Sequence, residues 1–388
     1  MPFVNMRDLL IHAREHGYAV AALDVVSLDF LEGVIRAAEN CCAPVIVSLA
    51  ESHFEHYDFE LLMASTVAAC RRSSAPLAIH LDHGASLDSA VSGIRLGCNG
   101  VMVDGSALPL ADNLALTKAV ADMAHACGVA VEGELGYVPG VEGEDAEKHP
   151  GDVIYTTPAE ASGFVKRTGV DCLAVSVGTV HGRLRERPRL DFRRLAAIAE
   201  AVDIPLVIHG GTGLSDEQMR RLIGLGVAKI NYYTALSDVA ARSILEHSRS
   251  NARASCTNLT SGVRNAVRQE AERIIRLFGG SGRAAEVLAQ CRPWREVEHL
   301  ILFNADGGEA AAMMEEGRRS LAAIPGVRHA ATGRALTEGA RYRYCWLIRF
   351  CSAPVIDAYL NHPDHLAFAN TRFRPLAEDR LKIDYELD

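Results

Sequence analysis

The chain has 388 residues, with 40 Lys and Arg against 49 Asp and Glu and a formal charge of −9. That length supports two or three domains around a large buried core. With 49% hydrophobic and 23% charged residues the chain is an ordinary globular one, neither disordered nor fibrous, and its acidic balance disfavours nucleic acid or an anionic membrane as the main partner.

Residues 1–20 carry charges every few positions, so they lack the apolar run of a targeting signal. No stretch approaches the ~18 continuous apolar residues of a membrane span. The ten cysteines are scattered without a C-x-x-C pair. They read as reduced thiols, and a cytoplasmic location is expected.

Eight short apolar runs follow in chain order: Ala19–Asp24, Pro44–Ala50, Pro76–Asp82, Gly100–Asp104, Val129–Leu135, Cys172–Val177, Pro205–His209 and Val227–Asn231. Amphipathic stretches lie between them, among them Leu28–Cys42, Ala85–Leu96, Leu110–Ala126, Pro158–Thr168, Phe192–Ala201 and Ser215–Leu225. Continuous apolar runs alternating with helical patterns predict parallel strands buried on both faces. Eight such units in about 245 residues predict an α/β fold, a closed (β/α)8 TIM barrel. A doubly wound open sheet is the alternative, and the missing G-x-G-x-x-G after the first strand counts against it.

Residues 252–293 break that rhythm, with one amphipathic helix over Val263–Phe278 closed by the Gly279–Gly282 breaker. Beyond Trp294 the pattern changes. Strand Val297–Phe303, helix Glu309–Ile324, strands Val327–Ala335 and Tyr342–Phe350, a helix from Val355 through 376 and strand Leu381–Leu387 form a βαββαβ order. This predicts a smaller ferredoxin-like α+β domain, giving a barrel over 1–290 and a second domain over 296–388.

In a barrel the C-terminal strand ends build the reactive rim. Here they are Asp24, Glu51, Asp82-His83, Asp104, Glu134, His181, His209 and Asn231. Each histidine alone reads equally well as a helix cap or a core residue. Three on one rim, each followed by glycine, suggest a three-ligand catalytic zinc site with an open position. Asp104 and Glu134 would then support the ligands or hold a second cation. The cluster Arg183-Leu-Arg-Glu-Arg187 offers charge for a small anion.

The segment Ala78-Ile-His-Leu-Asp-His-Gly84 resembles the H-x-D-H-G signature of the class II, metal-dependent ketose-bisphosphate aldolases. Val131-Glu-Gly-Glu-Leu-Gly136 with Glu142 resembles their second signature. Val101–Ser106, Ser176–Gly182, His209–Gly213 and Lys229–Thr234 are similar to further family blocks, in family order over residues 1 to about 285. The resemblance implies that His83, His181 and His209 hold catalytic Zn²⁺. It implies Asp82 as the acid/base at the C4 hydroxyl and Glu142 as the proton shuttle at the enediolate carbon. Asp104 and Glu134 would hold an alternative or second divalent metal. Gly182, Gly210, Gly211, Thr212, Asn231 and Thr234 would bind the dihydroxyacetone-phosphate half, with a monovalent cation nearby. Lys229, a candidate Schiff-base lysine by type, becomes structural or phosphate-adjacent. The implied partner is a small phosphorylated sugar, in carbohydrate metabolism such as glycolysis.

Four departures bear on the substrate. Asp24 stands where the family has Asn, Ala50 where it has Ser, Pro139 where it has Gly or Met, and Tyr232-Tyr233 where small or polar residues precede Thr234. An acidic residue repels a distal phosphate and alanine offers it no hydroxyl, so a ketose without that phosphate competes with fructose 1,6-bisphosphate. Residues 296–388 resemble the stress-responsive A/B barrel (Dabb) family through Val297–Phe303 and Tyr359–His365. That resemblance implies pairing into a homo-oligomer, with His299, His362 and His365 as ligand-contacting or packing residues. A metal-dependent amidohydrolase is a competing reading, disfavoured because no H-x-H occurs. A non-catalytic aldolase-like scaffold is another, disfavoured because every catalytic position is filled.

Overall fold

The computed structural model describes residues 3–141, 143–148, 151–183, 188–251, 253–377 and 379–387. The barrel strands are β1 (Val20–Asp24), β2 (Val45–Ala50), β3 (Leu77–Gly84), β4 (Gly100–Val103), β5 (Ala130–Leu135), β6 (Cys172–Val175), β7 (Leu206–Ile208) and β8 (Val227–Tyr232). All pair in parallel in chain order, and β8 closes on β1 through Val20↔Lys229 to Leu23↔Tyr232. The expected TIM barrel is therefore the observed one.

The outer helices are α2 (Leu28–Asn40), α3 (Phe59–Arg72), α4 (Leu87–Leu96), α5 (Leu110–Ala126), α6 (Pro158–Thr168), α7 (Phe192–Ala201), α8 (Asp216–Gly224), α9 (Thr234–Ser250), α10 (Cys256–Thr260), α11 (Val263–Leu277) and α12 (Ala284–Gln290), while α1 (Met6–Glu15) precedes β1. Local chemistry sets their ends. Thr157 and Glu160 form a capping box with Pro158 in the first turn of α6, and Gly169 ends it at φ 75°. Helices α1, α3 and α9 lie outside the segments singled out from the sequence.

Strand alternation sorts the core into two layers. Val45, Val47 and Leu49 of β2, like Leu77, Ile79 and Leu81 of β3, face the helices. Val20, Ala22, Ile46, Ala78, Ala130, Cys172, Ala174, Val207 and Ala228 fill the lower lumen, where Met6, Leu9 and Leu10 of α1 seal it. The fit is close, because a Cβ on Gly100 would collide with the Met6 sulfur. Higher in the lumen the same inward positions are polar: Ser48, His80, Asp82, Glu132, Glu134, Ser176, His209, Lys229 and Asn231, all buried.

The second domain is a four-stranded antiparallel sheet ordered β10 (Val327–Arg334), β11 (Tyr344–Phe350), β9 (Val297–Phe303), β12 (Arg380–Glu386). Trp346, Ile348, Phe350 and Val297 face a core shared with Met313 of α13 (Gly307–Ala322) and with Tyr359, Phe368 and Phe373. The expected single helix from 355 to 376 is broken into α14 (Val355–Asn361), α15 (Pro363–Phe368), a π-helical turn (Ala369–Phe373) and α16 (Arg374–Leu376). Pro363 brings no N–H to continue α14, and His362 instead caps α15. On the other sheet face Leu347, Leu381 and Tyr385 are exposed.

This domain docks beside the N-terminal ends of the barrel strands. Arg328 donates to the carbonyls of Arg95 and Leu96 and pairs with Glu296, which Arg71 also reaches at 2.6 Å. Ser352 Oγ donates to the buried Cys127 carbonyl at 2.6 Å. Ser352→Ala removes that donor and leaves the Cys127 carbonyl only the weaker Cys351 thiol at 3.7 Å. It is expected to lower stability by about 0.5–1.5 kcal/mol, read as a lower denaturation midpoint.

Candidate active site

Asp82 and His83 are consecutive, so a regular strand would point them to opposite faces. The β3–β4 register shifts between Leu81 and Gly84, and His83 takes a left-handed φ of 47°. This uncommon backbone turns both side chains into the site. A second irregularity serves β8, where the register against β7 shifts at Val227 and Lys229 joins Asn231 inside the lumen.

His83, His181 and His209 converge with ring centroids 4.6–5.9 Å apart, their nearest ligand atoms lying within 4.8 Å of one another. His83 Nδ1 donates to Asp104 at 2.8 Å, and His209 Nε2 donates to Glu132 at 2.8 Å. The remaining nitrogens, His83 Nε2 and His209 Nδ1, face each other at 2.8 Å. Both are then lone pairs, a repulsive contact unless a proton or cation lies between them. This donor set fits a metal ion, with carboxylates fixing the tautomer of two imidazoles. Glu134 Oε2 sits 3.7 Å from His209 Nδ1, and His83, Asp104 and Glu134 form an overlapping ligand group.

Asp82 is fully buried. Its Oδ1 accepts from Asn231 Nδ2 at 2.8 Å, while Oδ2 has no hydrogen-bond partner among the described residues. Lys229 Nζ donates to Asn231 Oδ1 at 2.6 Å and pairs with Glu132 at 2.7 Å. A continuous polar chain thus runs from His209 through Glu132, Lys229 and Asn231 to Asp82. Burial would raise the Asp82 carboxyl, but the positive charge of His83, with that of Lys229, outweighs it and holds the pKa below the ordinary value. Burial opposes charge on Lys229 too, and Glu132 and Asp82 keep it protonated. His83 is held well above the usual histidine value, because Asp82 and Asp104 overcome its burial. His209 is held well below, by burial and then by His83. Burial followed by Asp104 pushes the Glu134 carboxyl well up.

The other sequence candidates lie around this centre. Thr234 opens α9 and its hydroxyl accepts from Gly143 N at 3.0 Å, while Thr212 accepts from Ala235 N at 3.3 Å. Gly182 and Gly210 have φ of 87° and 68°, and a Cβ there would strike Glu144 and Val180 carbonyls respectively. Gly211 N donates to Asn231 O. Both polar ends of Asn231 are engaged inside the protein, toward Lys229 and Asp82. Glu142 and Arg185 and Arg187 of the basic cluster lie outside the described residues. His299, expected as a ligand or packing residue, is buried and bonded to Asp384 at 2.5 Å. Glu132 and His80 fall inside the two signatures without a role assigned by the resemblance, and strand alternation with Glu134 and Asp82 puts both in the lumen.

Asp24 is fully buried at the end of β1, and after burial itself its charge is what raises the Tyr57 hydroxyl. Tyr233 packs its ring 4.4 Å from His53 and 6.4 Å from Phe30. The bulky residue before Thr234 thus fills space beside the β1 and β2 ends. Among the described residues no helix is long and apolar enough to cross a membrane.

Residues 4–283 match the class-II fructose-bisphosphate aldolase family, and residues 297–387 match the stress-responsive A/B barrel domain. Among solved structures, the YdjI aldolase of Escherichia coli K12 is 34% identical with a TM-score of 0.65, covering 73% of this chain and 99% of that one. A protein given provisionally as a fructose-1,6-biphosphate aldolase of Coccidioides immitis is 31% identical, TM-score 0.65, covering 72% and 97%. The fructose-bisphosphate aldolase of Campylobacter jejuni, at 20% identity and TM-score 0.59 over 71% and 94%, shares the fold. The barrel with its rim signatures therefore belongs to the class-II fructose-bisphosphate aldolase family, and a Dabb domain follows it in the same chain.

Proposed function

We propose that this chain cleaves and forms a C–C bond of a phosphorylated ketose, giving dihydroxyacetone phosphate and an aldehyde, with Zn²⁺ held by His83, His181 and His209. The observation carrying this reading is the convergence of three imidazoles, two of them 2.8 Å apart at His83 Nε2 and His209 Nδ1, beside a buried Asp82 whose Oδ2 has no hydrogen-bond partner among the described residues. Zinc in that position supplies Lewis-acid stabilisation for charge developing beside the ketose carbonyl.

The chain's own residues handle the protons. Asp82 Oδ2 takes the C4 hydroxyl proton during cleavage and returns it during synthesis, while Asn231 fixes Oδ1 so that the free oxygen faces the substrate. Lys229 and Glu132 orient Asn231 and His209 in turn. We assign Glu142 the proton at the carbon of the dihydroxyacetone-phosphate half, and Asp104 and Glu134 the support of His83 and His209 or a second cation. Phosphate binding falls to Gly182, Gly210, Gly211, Thr212 and Thr234 at the start of α9. Its N-cap residue Tyr233 makes no side-chain cap and the Ala235 N–H is met by Thr212, so the other first-turn N–H groups suit an anion, as in other barrels after strands seven and eight. His209→Ala is expected to abolish stoichiometric zinc at this centre, read by metal analysis after dialysis.

The test is triose-phosphate release from a panel of ketose mono- and bisphosphates, with and without a chelator. Chelator-sensitive release is expected, and its absence from the whole panel would overturn the reading. A substrate without the distal phosphate is favoured by buried Asp24 and by Ala50. Asp24→Asn with Ala50→Ser is expected to raise turnover of fructose 1,6-bisphosphate about tenfold or more. Restoring one hydrogen bond to a charged group contributes about 1.5–3 kcal/mol. We also assign self-association to the exposed Leu347, Leu381 and Tyr385 face, which Leu347→Glu would disrupt in sedimentation experiments.

A further inference from the structure

A second cluster lies at the opposite end of the barrel from the rim, where α1 meets α12. His12 and His16 are four residues apart, so one helical face carries both, and their rings stack at 4.0 Å. Glu286 of α12 reaches both from across the contact: its Oε1 is 3.1 Å from His16 Nε2 and 3.8 Å from His12 Nε2.

Every other polar atom of the trio is already committed. His16 Nδ1 donates to the His12 carbonyl at 2.8 Å. His12 Nδ1 bonds the Tyr18 hydroxyl at 3.0 Å. Arg283 donates to Glu286 Oε2 at 3.2 Å, and its guanidinium stacks on Tyr18. The uncommitted His12 Nε2 and His16 Nε2 both face Glu286 Oε1, and the three residues offer ligand atoms mutually within 4.8 Å. His12 is only 4% exposed, and its Nε2 has no hydrogen-bond partner among the described residues. The His16 ring already donates through Nδ1, so its Nε2 meets a carboxylate oxygen as acceptor against acceptor. That contact is repulsive unless a cation, or a second proton on the ring, intervenes.

We propose that His12, His16 and Glu286 form a second metal site, for a borderline divalent cation such as Zn²⁺. Two imidazoles and a carboxylate are a donor set of that class. Tetrahedral zinc with bonds near 2.05 Å needs ligand atoms about 3.35 Å apart, and the two separations to Glu286 bracket that value. Outer hydrogen bonds orient all three ligands, as metal sites require. The cation also sits at the C-terminal end of α1, where the helix dipole favours positive charge. Bound there, it fastens the helix sealing the barrel floor to the helix that runs into the second domain.

The test counts zinc retained by the full-length chain after metal loading and dialysis, by elemental analysis and chelator competition. The unaltered chain is expected to hold one equivalent more than His16→Ala, and His16→Ala should keep its aldolase activity. His209→Ala is expected to retain the equivalent that His209→Ala with His16→Ala loses, and to show a zinc-dependent rise in melting temperature that the double variant lacks. Glu286→Gln should lose the same equivalent. Equal zinc content and an equal melting response with and without His16→Ala would overturn the proposal, whatever the activity of the rim site.

Discussion

Asp82→Asn is expected to cut turnover about 10²- to 10⁴-fold, the range for a positioned general acid/base, while zinc stays stoichiometric. The amide keeps the shape of the carboxyl and can still meet Asn231, so the loss isolates proton transfer from packing. Steady-state triose-phosphate release and metal content, measured on one preparation, check both halves. Near-normal turnover would remove Asp82 from the mechanism, and lost zinc would make it a positioning residue for His83.

Lys229→Met is expected to cost about 3–5 kcal/mol of stability, because it leaves Glu132 as an uncompensated buried charge. Methionine approximates the length of the lysine stem, which limits any cavity contribution. The same change unties Asn231 Oδ1, so turnover should fall along with the denaturation midpoint. Pairing Lys229→Met with Glu132→Gln is expected to recover much of the stability but not the activity. The chain of bonds that orients Asp82 stays broken in that double variant. Chemical denaturation and kinetics on the two variants separate these effects.

The barrel was legible in sequence because its strands are buried on both faces and so appear as uninterrupted apolar runs, such as Pro44–Ala50. The three histidines were legible because each precedes a glycine, His83 and His209 at strand ends and His181 in the loop six residues past β6. The lumen network was harder to read. Glu132 and His80 sit two positions before Glu134 and Asp82 on the same strand face, yet a charged residue inside an apolar run looks like an interruption until closure shows its partner. Lys229 pairs with Glu132 from a strand nearly a hundred residues away, through a register shift no local pattern announces. Breaks at Pro363 were foreseeable from the missing N–H. The meeting of α1 with α12 was not, since it depends on where the closed barrel sends both ends of its chain.

That meeting sets an order of events during synthesis. Val4 pairs with Pro293, Asn5 N donates to Arg292 O, and Trp294 N donates to Phe3 O. These contacts cannot form before residue 294 has left the ribosome. β1 first waits for β8, which ends at Tyr232, and the segment before α1 waits a further sixty or so residues for this latch. The first segment translated is thus among the last to settle, with closure of a long-range parallel sheet as the slow step. The second domain, made immediately afterwards, begins only three residues beyond that latch, so the barrel is closed by the time its companion can fold against it.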